Sequence, residues 1–160
     1  MNVGNLGNTL KWAATLVMVA ILLSACGNEG PDALVASAKQ YLAKNDYSAA
    51  SIQLKNALKS KDSGEIRYLL GKTSIGLGDY PAAQVQLRQA LEAKYSTDAI
   101  YPELSKVMLG LGETKKLIAE FANVTVSEKN QQASIKSDVA EAHLALGQTG
   151  QVILSIRDQE

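Results

Sequence analysis

The chain of 160 residues has one thiol, one imidazole and 16 carboxylates, and these set what chemistry it can do. Cys26 is the only cysteine, so no internal disulfide can form and its sulfur is free for modification. His143, in the stretch HLALG, has no Cys or second His to share a metal with, so no metal site is expected. It reads as structural filler on the inner face of a helix. The Gly-rich stretch IGLGDY lacks both the Lys-Ser/Thr pair and the preceding strand that a phosphate loop needs. No nucleophile-elbow or metalloprotease pattern occurs. The carboxylates are scattered along solvent faces, so no catalytic residue, cofactor or metal is expected, and the chain does not read as an enzyme. Its formal net charge is zero, which gives no electrostatic footprint for nucleic acid.

The environment of Cys26 gives that thiol a role. MNVGNLGNTLK is polar with one Lys, and WAATLVMVAILL is an apolar run of twelve. Leu23-Ser24-Ala25-Cys26 follows. A positive start, a short apolar run and a small-residue end make a secretory signal. The run is shorter than the ~20 residues of a membrane span. LSAC resembles a bacterial lipobox. That resemblance implies a lipoprotein signal peptide over 1–25, cleavage before Cys26, diacylglycerol on its sulfur and an acyl chain on the new amino end. Anchoring through such chains is strong, because each buried CH₂ contributes ~0.8 kcal/mol. Gly27, where an Asp would favour the inner membrane, implies the periplasmic face of the outer membrane. The residues after it are polar and turn-rich, and 26–31 reads as a tether. Cleavage removes Lys11 and no acid, taking the net charge to −1, and it removes Trp12, the only Trp.

The rest of the chain repeats itself. Residues 31–63 and 64–96 share eleven identical positions, among them Lys39/Lys72, Asp46/Asp79, Tyr47/Tyr80, Leu54/Leu87 and Ala57/Ala90. Ile75-Gly76-Leu77-Gly78 returns as Leu109-Gly110-Leu111-Gly112 after 34 residues and as Leu144-Ala145-Leu146-Gly147 after 35 more. Gly78, and Asn45 before it, suit a left-handed helix end. Asp79 suits the start of the next helix, and Pro81 its first turn. Ala83, Leu87 and Ala90 fall on one helix face, with Tyr80 as a wedge. Helices are expected near 32–44, 47–60, 65–77, 80–94, 98–111, 114–123, 131–146 and 149–157, with no sheet. Units fall at about 31–63, 64–97, 98–132 and 133–160. The last is incomplete, and the third is distorted around Glu113-Thr114 and NVTVSEKN.

The period and these residues resemble the tetratricopeptide repeat (TPR). The fold expected over 32–160 is therefore an all-α, TPR-type α-solenoid of helix-turn-helix repeats; another α-solenoid or an irregular stack of α-hairpins is the alternative. In the TPR pattern the first helix of each unit lines a concave groove. Carried over, the groove positions are Asp32, Val35, Lys39 and Leu42; Glu65, Tyr68, Lys72 and Ile75; Ala99, Pro102, Lys106 and Leu109; and Ser134, Ser137, Glu141 and Leu144. Lys39, Lys72 and Lys106 would form a ladder of positive charge beside Leu42, Tyr68, Ile75 and Leu109, suited to an acidic peptide or a polyanion. The plainer alternative is that these lysines solubilise an exposed face balanced by Asp32 and Glu65.

The wording of Ala38–Leu58 and Arg67–Leu91, behind a lipobox, is similar to the TPR-repeat lipoproteins of the PEP-CTERM/exosortase system (PrsT type). That resemblance implies a lipid-anchored scaffold of the bacterial envelope. It would bind protein or peptide partners, attach to the membrane through its lipid, and take part in exopolysaccharide export or protein sorting. The alternatives are a pilotin or outer-membrane assembly lipoprotein of another secretion system, and a non-catalytic subunit of a polysaccharide-synthesis enzyme.

Overall fold

The structure, a computed structural model, describes residues 30–148. The secretory signal, Cys26, the tether up to residue 29 and the helix expected over 149–157 lie outside the described residues. Within them the fold is all-α: seven helices and no strand. These are α1 (Pro31–Ala43), α2 (Tyr47–Ser60), α3 (Gly64–Gly76), α4 (Tyr80–Glu92), α5 (Thr97–Gly110), α6 (Thr114–Phe121) and α7 (Lys129–Ala145).

Short side chains start four of the seven helices. Asp46 and Asp79 accept from the N–H groups of Ala49 and Ala82 at 3.0 and 3.1 Å. Ser63 and Ser96 do the same for Ile66 and Ala99. Each such cap contributes about 1 kcal/mol by satisfying an N–H that the helix leaves free. Four helices end alike. Asn45, Gly78, Gly112 and Gly147 adopt φ of +57°, +74°, +71° and +71°. At each end the left-handed residue donates to the carbonyl three back, and the next residue donates to the carbonyl five back, as in Gly78 N–H to Ile75 and Asp79 N–H to Ser74. A fifth end of this type was not foreseen. Lys94 takes φ +58°, so α4 stops at Glu92 rather than running to 94, and the chain turns to present Tyr95.

The helices pack in sequence, α1 with α2 and α3 with α4 most closely, joined by α2 on α3 and α4 on α5. Two buried clusters result. One holds Val35, Ala38, Leu54, Ala57, Ile66, Leu69 and Leu70. The other runs from Ala83 and Leu87 through Leu104 and Phe121 to Ile135 and Ala142. Tyr68 packs against both. Val35, read as a groove residue, belongs to the first cluster and is 7% exposed, because the start of α1 leans onto α2.

The third unit departs from the others, as its sequence suggests. Its second helix, α6, has eight residues and no side-chain cap. So short a helix leaves α5 free to pack directly on α7. The segment after α6 is fastened by Gln132, which accepts from the N–H of Val126 at 2.8 Å and donates to the carbonyl of Val124 at 3.0 Å.

Candidate functional site

The seven candidate groove residues sit on three helices. Lys39 and Leu42 are on α1, Tyr68, Lys72 and Ile75 on α3, and Lys106 and Leu109 on α5. The three lysines are exposed, and the four apolar residues are half-buried beside them. Each lysine meets an acid on the first helix of the next unit. Lys39 Nζ lies 2.7 Å from Glu65 Oε1, and Lys72 Nζ lies 4.0 Å from Glu103 Oε1. Lys106 acts on Asp138 through its charge. The face therefore alternates in sign, because every step to the next unit brings a carboxylate with it. Glu65 was foreseen as a counter-charge; Asp32 instead binds Lys61 at 2.9 Å. The hydrogen bond to Glu65, and then its charge, raise the Lys39 amine above its ordinary value. Both partners are about half exposed, so water screens the pair and its contribution to stability is small.

The middle of this face is the most developed part. Tyr68 stacks on Tyr95 with ring centroids 5.2 Å apart, and Lys72 Nζ stands 5.8 Å above the Tyr68 ring. Burial, followed by the charges of Glu103 and Tyr95, pushes the Tyr68 phenol up to about 12. Next to it is a cavity of about 240 Å³ lined by Leu42, Asn45, Tyr47, Lys72, Ile75, Gly76 and Glu103. Three of the seven candidates, Leu42, Lys72 and Ile75, thus share one cavity. Lys39, Tyr68, Lys106 and Leu109 do not line it.

One wall of the cavity depends on a glycine. A Cβ on Gly76 would lie 2.3 Å from the Tyr47 ring, so only a bare backbone lets that ring lie flat on the end of α3. The pairing recurs between Tyr80 and Gly110, where the added carbon would come within 2.9 Å. In the next unit Thr114 stands in the tyrosine position and Ala145 in the glycine position. The glycine seat is present where there is a ring to fill it.

Sequence reasoning missed Tyr47, Asn45, Gly76 and Glu103 as cavity walls. A signal for the last did exist: Glu103 and Asp138 follow Lys72 and Lys106 by 31 and 32 residues. The equivalent residue one unit earlier is Leu69, which is in the core, so at this position the acid enters only in the third unit, and Lys39 takes Glu65 from a different position. His143 keeps a structural contact. It is half-buried at the end of α7, with Nδ1 2.8 Å from Gln148 Oε1 in the turn that ends the helix.

A second cavity, of about 450 Å³, lies on the second-helix side, lined by Gln84, Val85, Arg88, Gln89, Glu92, Glu113 and Lys116. Much of its polar lining is already engaged: Arg88 with Glu120, and Gln84 and Lys116 both with Glu113. Among the described residues no group of three or more His, Cys, Asp and Glu could hold a metal ion, and no helix is long and apolar enough to cross a membrane.

Asp138 gives the α5–α7 contact a pH dependence. Burial, the largest influence, raises its carboxyl above the ordinary 3.8, against the hydrogen bond from Ser105 Oγ at 2.6 Å. A raised acid favours the protonated, folded form, so its contribution is most favourable below 3.8 and is lost as pH rises through the folded value. Asp138→Asn, neutral at every pH, is therefore expected to show a smaller fall in urea midpoint than the parent as pH is raised from 3.8. Parallel midpoints for the two proteins would contradict this.

Comparison of the chain with family models, with curated proteins and with solved structures finds no match.

Proposed function

We propose that the chain is a lipid-anchored, TPR-type scaffold that binds protein or peptide partners in the bacterial envelope, with exopolysaccharide export or PEP-CTERM sorting as its setting. The setting rests on the resemblance of Ala38–Leu58 and Arg67–Leu91 behind the lipobox. The scaffold reading is supported by the period of 33–35 residues and by the recurring helix ends. The observation that carries it is the 240 Å³ cavity between successive first helices. Leu42 and Ile75 give it an apolar floor, and Lys72 and Glu103 stand on its rim. At 4.0 Å the two charges are only loosely engaged with each other. One is a donor and the other an acceptor, the pair needed to hold the carbonyl and N–H of a passing polypeptide while one apolar side chain enters the cavity.

Two measurements test this reading. Cells fed labelled palmitate should label the parent protein in the membrane fraction and leave Cys26→Ser unlabelled; an unlabelled parent ends the anchor reading. Capture of envelope proteins by the tagged chain should fall at least about tenfold with Lys72→Glu, which places two like charges on the cavity rim. Unchanged capture by that variant, or by one that also carries Lys39→Glu and Lys106→Glu, ends the groove reading.

A further inference from the structure

The outward face of α2 combines exposed apolar and basic residues in a way that concerns the membrane. Ile52 is 60% exposed, the most exposed large hydrophobic among the described residues. Lys55 and Lys59 lie three and seven residues on, so all three share one face. The helix, YSAASIQLKNALKS, contains no acid. Among the described residues neither lysine has a carboxylate within ion-pair reach; Lys59 donates only to Asn56, at 3.1 Å. The equivalent face one unit later is Val85, Arg88 and Glu92. There Arg88 is held by Glu120, and an acid replaces the second lysine. The second unit therefore does not repeat the unpaired basic and apolar face of the first.

That unit is also the one beside the anchor. Lys61 Nζ binds Asp32 at 2.9 Å, which places the end of α2 against the start of α1. From Cys26 to Pro31 is five residues, a reach of at most about 17 Å. From Lys61 back to Ile52 is nine residues, about 14 Å along a helix. A bilayer holding acyl chains on Cys26 is therefore within reach of this face.

We infer that the α2 face carrying Ile52, Lys55 and Lys59 rests on the membrane surface and that its partner is anionic phospholipid headgroups. This rests on the lipid anchor proposed above. The lysines supply the attraction, and Ile52 enters the interfacial layer, as on amphipathic surface helices. The groove on the first helices is then turned away from the bilayer, towards partners.

The test uses the acylated protein in vesicles of neutral phosphatidylcholine, with and without phosphatidylglycerol. With Cys26 blocked by lipid, Ile52→Cys and Val85→Cys each offer one thiol for a fluorophore, and quencher-bearing lipids report its depth. The expected result is quenching at position 52 in phosphatidylglycerol vesicles, with little at 85. Lys55→Gln with Lys59→Gln should lower the docking equilibrium constant about 25-fold, at about fivefold per lysine. Vesicle-bound protein quenched equally at both positions, or at neither, overturns the docking and leaves the anchor standing. Equal quenching with and without phosphatidylglycerol overturns the headgroup assignment. Protein that does not float with vesicles overturns the anchor and the docking together.

Discussion

Gly71→Val is expected to lower the free energy of unfolding by about 3 kcal/mol, a fall of roughly 10 °C in Tm. Gly71 is buried on α3 where α4 crosses it. A single Cβ there would lie 2.7 Å from both Cγ and Cδ2 of Leu87, which is fully buried. Leu87 has nowhere to move, so the added carbons must separate the two helices. Helix propensity works the other way, by under 1 kcal/mol, and does not offset overpacking of this kind. The same place in the first unit holds Ala38 and in the third Ser105, both fully buried, so the position is small in each. Equilibrium urea unfolding measures the loss. Adding Leu87→Ala should make the double variant less destabilised than the sum of the two single changes, because the second makes room for the first. Strict additivity would show that the two residues do not meet.

Phe121→Ala is expected to cost about 4 kcal/mol. Phe121 is 2% exposed and meets Tyr101 edge to face with centroids 5.5 Å apart. With Leu117 it makes up the buried part of α6, an eight-residue helix that lacks a side-chain cap. An isolated helix of that length is not stable, so α6 depends on this burial. Hydrogen exchange should locate the damage. Amides of α6 and of 122–128 should lose protection first, while α1 and α2, built on the other cluster, keep theirs. Uniform loss over the whole chain would mean that the two clusters unfold as one.

What the sequence disclosed, and what it withheld, follow from how local each cause is. Asn45, Gly78, Asp46 and Asp79 act on their own helix ends, so their types were enough to place the turns. The two glycines of Ile75-Gly76-Leu77-Gly78 look alike in sequence and do different work. Gly78 provides a left-handed turn, a local property. Gly76 seats Tyr47, 29 residues earlier, which only packing reveals. Lys94 was missed for the opposite reason: lysine carries no sign of a positive φ, so α4 was extended through it. The charge beside Lys72 and Lys106 was not read, because Glu103 and Asp138 reach them across a unit boundary. The cavity depends on these non-local meetings, and so it could be read from the sequence only as three of its seven walls.

The central claim is that the cavity of Leu42, Lys72, Ile75 and Glu103 receives a polypeptide partner of the envelope. A photo-crosslinking residue at Ile75, in the intact protein and in living cells, tests it most directly, with Val85 on the second-helix side as the control position. The account predicts a discrete protein adduct from position 75 in the membrane fraction, absent from position 85 and lost when Lys72→Glu is added. An absence of adduct at 75, or the same adduct with Lys72→Glu in place, would contradict it.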